Sequence, residues 1–396
     1  MVVGRSRGRG LFAEGDFVSD ALSSISLHRR GRERLDLPLF VGLAALGLLG
    51  ATFIYSATRE QLLIAGFNPH YYLERQLGFV LGGIAVMWAL SMIDYRRLEV
   101  LATPIYICSI LALAGVFVAG QSALGAQRWY NLGIVQVQPS EFTVLSIILA
   151  VATFCGRRSE GLRMYDIWRL LVMALMPVGL IVLQPDLGTS IIIVLVVAGM
   201  MVIAGVPPRF MTFLAIAGSI GLAGAIFFNV LQKYQVDRFV SFLNQNSTNS
   251  NIQSLLYEVA NAKAAIGAGG LSGAGLFHGM QTTLGYVPEQ RTDFIFTAVG
   301  EQFGFIGSTA LVLLLAFVAW RIWSTGRTAR DTMGRVLAVG VFIFFSFSCF
   351  ENMGMTMGIM PVTGIPLPLI SYGGSAVLVF YMAGGLVLSV SRRSGS

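Results

Sequence analysis

Apolar runs too long for a soluble fold recur along this 396-residue chain. A helix that crosses the hydrocarbon core of a bilayer needs roughly 20 consecutive, mostly apolar residues. Such runs fall at about 37–57, 76–93, 100–120, 189–206, 210–231, 304–323, 336–355 and 376–391. Two shorter runs, 142–155 and 170–183, reach full length once their polar flanks are placed in the interface. The runs predict an all-α polytopic membrane protein with about ten transmembrane helices. Composition agrees, because only 12% of the residues are charged and 55% are hydrophobic. A soluble surface uses about twice that charge. An ordinary soluble enzyme, a disordered chain and a disulfide scaffold are thereby excluded.

The net charge of +7 is informative once its bases are located. An even number of spans puts both termini on one side. Twenty of the 27 Lys and Arg residues then share that side, seven of them in the N-terminal tail. The other side keeps Arg59, Arg75, Arg128, Lys233, Arg238, Lys263 and Arg291. Cytoplasmic loops carry the positive excess, so both termini are expected in the cytoplasm. The charge is an orientation signal and implies no nucleic-acid partner. The expected organisation is a basic tail at 1–36, a transmembrane domain at 37–391 and a short tail at 392–396. Residues 1–36 lack the apolar core of a secretory signal, so no cleavage is expected, and the tail reads as a solvated segment near anionic lipid headgroups. Cys108, Cys155 and Cys349 lie far apart in or beside apolar runs and read as packing residues. His28, His70 and His278 show no metal-ligand spacing.

The chain departs from a plain bundle at 232–293, a connection between spans seven and eight on the side away from the termini. Connections that long are uncommon unless they are functional or disordered. Asn244 to Asn251 is rich in Asn and Ser and reads as mobile, while Ile252 to Ile266 has the spacing of a short helix. The glycine-rich run Ile266 to Gly275 brushes against a dinucleotide fingerprint, but no strand precedes it. It reads better as a turn that allows close backbone approach. Asp293 stands where an apolar helix begins, and position alone leaves it either a helix cap or a site residue. Glu301, eight residues on, falls near the same helix face. Glu351 and Asn352 interrupt an apolar run, and ionisable groups within spans usually face a polar cavity. Pro361 to Ser375 has three prolines, three glycines and no charge. Irregular backbone at that depth is tolerated only when buried in protein or lining a cavity. Polar, irregular backbone thus gathers on one face of a helical bundle.

These residues carry a resemblance. Tyr72-Leu-Glu-Arg-Gln-Leu77, Arg128-Trp129, Gln138-Pro-Ser-Glu141 and Gln184-Pro-Asp-Leu-Gly188 come first. Lys263 to Gly270, Pro288-Glu-Gln-Arg-Thr-Asp-Phe294, Gly300-Glu301 and Pro361 to Ser375 follow in order. The set resembles the SEDS proteins (shape, elongation, division and sporulation) from about Leu37 to Leu388. Glu351-Asn-Met-Gly354 with Thr363-Gly-Ile-Pro-Leu-Pro368 looks more like RodA, the elongation member, than FtsW or SpoVE. Three positions depart from the family pattern: Arg291 stands where His is common, and Val144 and Ala274 stand where lysines are common.

The resemblance implies a bacterial plasma-membrane enzyme that polymerises lipid II into glycan strands. In that reaction an acceptor sugar 4-hydroxyl attacks a donor anomeric carbon and undecaprenyl pyrophosphate leaves. Such a displacement calls for a base on the attacking hydroxyl and positive charge on the departing phosphates. The resemblance makes Asp293 the catalytic carboxylate, as base or as metal ligand. Arg75, Arg128, Arg238 and Lys263 become candidate pyrophosphate or sugar contacts, each with the alternative of an interfacial cation that snorkels to headgroups. Glu141 and Glu301 either orient those cations or form structural polar pairs. A divalent cation, magnesium or manganese, is one way to supply the positive charge. A class B penicillin-binding protein is the implied transpeptidase partner. Two rival readings stay open on the residues: a flippase for the same lipid, which broken helices suit, and a non-catalytic cell-wall scaffold.

Overall fold

The computed structural model describes residues 35–123, 126–131, 133, 136–158, 161–227, 233–245 and 252–394. Most of the basic tail and most of the Asn/Ser-rich stretch lie outside these residues. Helices stand at all ten expected runs. They are α1 (Leu37–Ile64), α2 (Tyr71–Met92), α3 (Leu98–Ala119), α4 (Pro139–Gly156), α5 (Met164–Leu183), α6 (Leu187–Ile203) and α7 (Pro208–Phe227). The long connection adds α8 (Lys233–Leu243), α9 (Gln253–Ala268) and the single turn α10 (Met280–Thr283), and α11 (Ile295–Thr328), α12 (Thr332–Met357) and α13 (Gly374–Ser394) complete the chain. Among the described residues, eight of these helices are long and apolar enough to cross a membrane. The 17-residue α6 and the described part of α7 stand outside that group.

Burial separates a centre from a rim. Over their most apolar stretches α4 and α13 are each 78% buried and α12 is 67% buried, against 22% for α3. Lipid tails are as apolar as a leucine side chain, so close packing and not hydrophobicity holds such helices together. Small residues supply it: Gly340 of α12 meets Met200 and Ile148, and Gly385 of α13 lies against the Met87 backbone of α2. Carboxylates fasten the helix ends on the face that carries the termini. Asp36 caps α1 by accepting from the Leu39 amide (3.1 Å) and pairs with Arg321 (2.6 Å). Asp331 caps α12 through the Gly334 amide (2.7 Å) and takes Tyr95 and Arg96 at 2.8 Å each.

The opposite face, called here the loop face, differs from the sequence expectation in two ways. A three-stranded antiparallel sheet, β1 (Gln121–Ala123), β2 (Ala126–Asn131) and β3 (Gln136–Val137), joins α3 to α4, so the chain is not purely helical. β1 and β3 are too short to leave a period-two signal, and β2, Ala-Gln-Arg-Trp-Tyr-Asn, does not alternate apolar with polar residues. Second, α11 is broken at Gly304, whose φ of 62° and ψ of −158° are not helical. The glycine-rich turn inserts at the break. Ala274 and Gly275 donate to the Glu301 and Gln302 carbonyls (2.9 and 3.0 Å), and Phe305 and Ile306 donate to Gly270 and Leu271 (2.9 and 3.1 Å). Gly269 and Gly273 lie so close to the α11 backbone that a Cβ on either would collide with it. The close approach read from the glycines is therefore made to a neighbouring helix, and the backbone groups freed at the break are satisfied by it.

Gly50 of α1 faces the backbone of Leu369 and Ile370, with space for a Cβ already occupied by the Ile370 Cα at 2.8 Å. Gly82 of α2 has nothing within 4 Å of the same position. Gly50→Val should destabilise the protein by about 1–3 kcal/mol through overpacking. Gly82→Ala should be neutral or stabilise by up to about 1 kcal/mol. Thermal unfolding of both variants in one detergent checks this pair.

Candidate functional site

The charge-free run from Pro361 to Ser375 is the floor on which the other motifs meet. Most of its residues are buried and none before Gly374 is helical. Its backbone groups are taken up one by one. Arg238 Nη1 donates to the Thr363 carbonyl (3.1 Å), Asn352 Nδ2 to the Ile365 carbonyl (2.8 Å) and Gln76 Nε2 to the Ser371 carbonyl (3.4 Å). The Leu367 amide donates to Ser371 Oγ (2.9 Å) and the Tyr372 amide to the Arg291 carbonyl (2.9 Å). The two proline motifs dock on the same run. Asp186 caps α6, accepts from Gln138 Nε2 (3.1 Å) and Ser140 Oγ (3.2 Å), and leaves Gly188 pressed against Ile365. Ser375 Oγ accepts from the Gln138 amide (3.2 Å) and donates to the Gln136 carbonyl (3.0 Å).

Asp293 stands over this floor. It does not cap α11, whose N-cap is Phe294 with no side-chain bond. Asn352 Nδ2 holds its carbonyl at 2.8 Å, and its amide donates to the Glu289 carbonyl at 3.1 Å. Gly364 makes room for the carboxylate. A Cβ there would lie 3.3 Å from Asp293 Oδ2, and the φ of +80° suits glycine. Removal from water pushes the Asp293 carboxyl up to about 6, with help from the Glu289 charge, while Arg238, the Thr292 hydrogen bond and Arg128 pull it back. Glu258 of α9 is shifted the same way by burial and by Asp293 and Glu289, with Arg238 opposing. Arg238 thus serves two carboxyl groups.

The predicted cations fall into two places. Arg238 on α8 and Arg128 on β2 act on Asp293. Arg128 is held by the Gln184 carbonyl (3.0 Å) and by the Pro185 carbonyl. Arg75 on α2 packs 4.5 Å above the Tyr71 ring and lies against the Tyr372 hydroxyl. Tyr372 in turn stacks edge-on against Tyr72 (5.1 Å), over which Arg291 sits at 4.8 Å. Arg75 is therefore linked to the turn that carries Asp293 indirectly, through Tyr372, whose amide meets the Arg291 carbonyl. Lys263 sits apart. Its Nζ donates to Gln245 Oε1 (2.7 Å), its stem lies against Gly358, and it lines a cavity of about 190 Å³ with Phe242, Val259 and Met360.

Neither predicted glutamate orients a cation within ion-pair distance among the described residues. Glu301, 2% exposed, spends its carboxylate on the Gln281 and Thr282 amides (2.7 and 2.8 Å) and the Thr282 hydroxyl (2.6 Å). It fastens α10 to α11 and does not share the surroundings of Asp293. Glu141 stands near Asp186 in the first turn of α4, with Oε2 buried and without a hydrogen-bond partner. Sequence reasoning missed Glu258, Glu289, Thr363 and Gly364 as neighbours of Asp293. Glu289, Thr363 and Gly364 lie inside motifs visible in the sequence, and Glu258 lies outside them.

Among the described residues no three Asp, Glu, His or Cys side chains come together as a metal cage. Asp293 alone still fits a hard cation whose remaining ligands are water and phosphate oxygens, as magnesium sites commonly have.

The chain matches the family model for FtsW, RodA and SpoVE, described as cell cycle protein, over residues 37–395. It is 35% identical over 357 residues to the peptidoglycan glycosyltransferase MrdB of Escherichia coli K12, covering 90% of this chain and 93% of that one. It is 32% identical to a probable peptidoglycan glycosyltransferase FtsW of Trichlorobacter lovleyi, with the same coverage. Among solved structures it resembles the rod shape determining protein RodA of Thermus thermophilus (TM-score 0.67, 29% identity, 91% and 98% of the two chains). It also resembles a chain from a peptidoglycan synthase complex that coordinates polymerization and crosslinking (TM-score 0.76, 29% identity, 91% and 98%).

The raised Asp293 carboxyl has a thermodynamic signature. Between pH 4 and 6 the unfolded chain binds fewer protons at this position than the folded one, so stability falls as pH rises through that window. The wild type should lose about 1–3 kcal/mol relative to Asp293→Asn across it, and the two should run parallel above it. Unfolding curves for the pair at pH 4, 5, 6 and 7.5 test this.

Proposed function

The chain belongs to the FtsW/RodA/SpoVE family of cell cycle proteins, and from that premise we propose that it is a peptidoglycan glycosyltransferase that polymerises lipid II during cell elongation. Its termini lie in the cytoplasm and its loop face looks outward from the bacterial plasma membrane. The split of 20 basic residues against seven supports that orientation. The observation that carries the reaction is Asp293, a carboxylate enclosed near Arg238 and Arg128 on a floor of fixed backbone.

A general base works best when its pKa lies near the operating pH. A carboxyl at about 6 is ionised at neutral pH and basic enough to take the proton from an acceptor 4-hydroxyl. Inversion at the donor anomeric carbon then needs one displacement. Pyrophosphate leaves without the second, acidic carboxyl that a glycosidase requires. In this reading Arg238 and Arg75 meet the negative charge that develops on it, and Arg128 fixes the rim beside Asp293, a role its bond to the Gln184 carbonyl supports. Lys263 is suited to a more remote part of the lipid substrate, because its cavity is apolar apart from Lys263, Gln245 and Ser241. In the alternative role, Asp293 would hold a divalent cation together with the substrate phosphates, and the ion would add positive charge at the leaving group. The partner is a class B penicillin-binding protein, a reading supported by the likeness to a chain from a complex that couples polymerization to crosslinking.

Purified protein in sealed vesicles containing lipid II should make polymer. Asp293→Ala should lower the rate by about 10²- to 10⁴-fold while the unfolding temperature stays near that of the wild type. Wild-type rates of polymer from a folded Asp293→Ala protein would overturn the assignment. Transbilayer movement of lipid II without polymer would replace it with a flippase.

A further inference from the structure

Glu351 and Asn352 end an otherwise apolar stretch of α12, and the reaction described above gives Glu351 no task. Both are buried, at 1% and 0% exposure. A buried ionisable side chain among apolar helices is costly, so its retention asks for a reason. Its surroundings supply one. Thr363 Oγ1 donates to Glu351 Oε1 at 3.0 Å, and Glu351 Oε2 is buried without a hydrogen-bond partner. Asn352, the next residue, donates to the carbonyls of Asp293 and Ile365 at 2.8 Å each. The two side chains therefore grip the chain on either side of Gly364, the residue against which the Asp293 carboxylate rests. Thr363 is also the residue whose carbonyl receives Arg238 at 3.1 Å.

The geometry points to Glu351 as a positioning residue for Asp293. It anchors the Thr363 hydroxyl, which turns the Thr363 carbonyl to Arg238 and sets Gly364 under the carboxylate. Asn352 fixes the backbone of Asp293 itself, so the pair holds both the carboxylate and its opposing guanidinium from one helix end. Glu351 touches neither substrate nor reacting atoms, and its task is that of a hydrogen-bond acceptor. The inference rests on Asp293 being the catalytic carboxylate.

The charged groups that face Asp293 are Glu289 from its own loop, Arg238 from α8 and Arg128 from β2, with Glu258 of α9 close enough to feel its charge. Loss of the Thr363 anchor frees the Thr363 carbonyl from Arg238 and Gly364 from its place under the carboxylate, so kcat should fall while substrate binding is kept. The test compares wild type, Glu351→Gln, Glu351→Val, Thr363→Val and the double Val variant as full-length protein in lipid II vesicles. Each is first shown to be folded by its unfolding temperature.

Glu351→Gln keeps an acceptor for Thr363 and should retain kcat within about threefold. Glu351→Val and Thr363→Val should each lower kcat on the order of 10- to 100-fold, with KM little changed, as misplacement of a reacting group does. The double variant should be no worse than either single one. Glu351→Gln as damaging as Glu351→Val would overturn the proposal. So would a raised KM with kcat unchanged, or additive losses in the double variant. Failure of the Asp293 reading itself shows separately, as unchanged polymerisation by Asp293→Ala.

Discussion

Backbone without helix, buried at the depth of a membrane, must find every hydrogen bond within the protein. That requirement organises the loop face. The run from Pro361 to Tyr372 cannot make its own ladder, because three prolines lack donors and Gly364 and Leu369 adopt positive φ. Its carbonyls are therefore met by side chains from other elements: Gln76 from α2, Arg238 from α8 and Asn352 from α12. Each such bond brings a distant part of the chain to the same place. The break in α11 at Gly304 is resolved in the same way, by the glycine-rich turn. The polar residues of this face are held in position by an obligation of the backbone, and Asp293 stands on what results.

Electrostatics then differentiate residues of one chemical type. Asp293, Glu301 and Asp331 are all carboxylates near helix starts or breaks. Asp331 accepts an amide, a phenol and a guanidinium, which hold its carboxyl below the usual range. Glu301 is occupied by two amides and a hydroxyl. Asp293 is removed from water with a second carboxylate nearby, and its carboxyl is pushed upward. A carboxylate occupied by donors fastens helices together, whereas one desolvated beside a like charge keeps affinity for a proton.

Much of this was legible in the sequence because bilayer thickness leaves a coarse, long-range mark. Runs such as 37–57 and 336–355 announced α1 and α12 without any knowledge of packing. The glycines of the 266–275 run announced close approach, and the direction of that approach came only with the structure. Asp293 was found through its motif, since a lone aspartate before an apolar helix looks like a cap. Glu301 fits the second of its two readings, a structural polar residue, because α10 claims its carboxylate, and helical spacing takes no account of that. Glu258 left no mark, and Thr363 showed only as part of a motif. Their importance lies in contacts between separate segments, Glu258 toward Asp293 and Thr363 toward Arg238, and a linear pattern does not record those.

The seam between the glycine-rich turn and α11 has a consequence for how this chain can be altered. Residues 270–275 and 301–306 share one set of backbone hydrogen bonds, so the long connection is welded to a membrane helix and is no detachable module. The register of the seam is fixed, since a side chain at Gly273 would run into the backbone of Gln302 and Phe303. The stretch between its two halves carries Asp293 and the α10 turn that Glu301 holds, so grafting the loop onto another scaffold would require carrying the broken end of α11 with it.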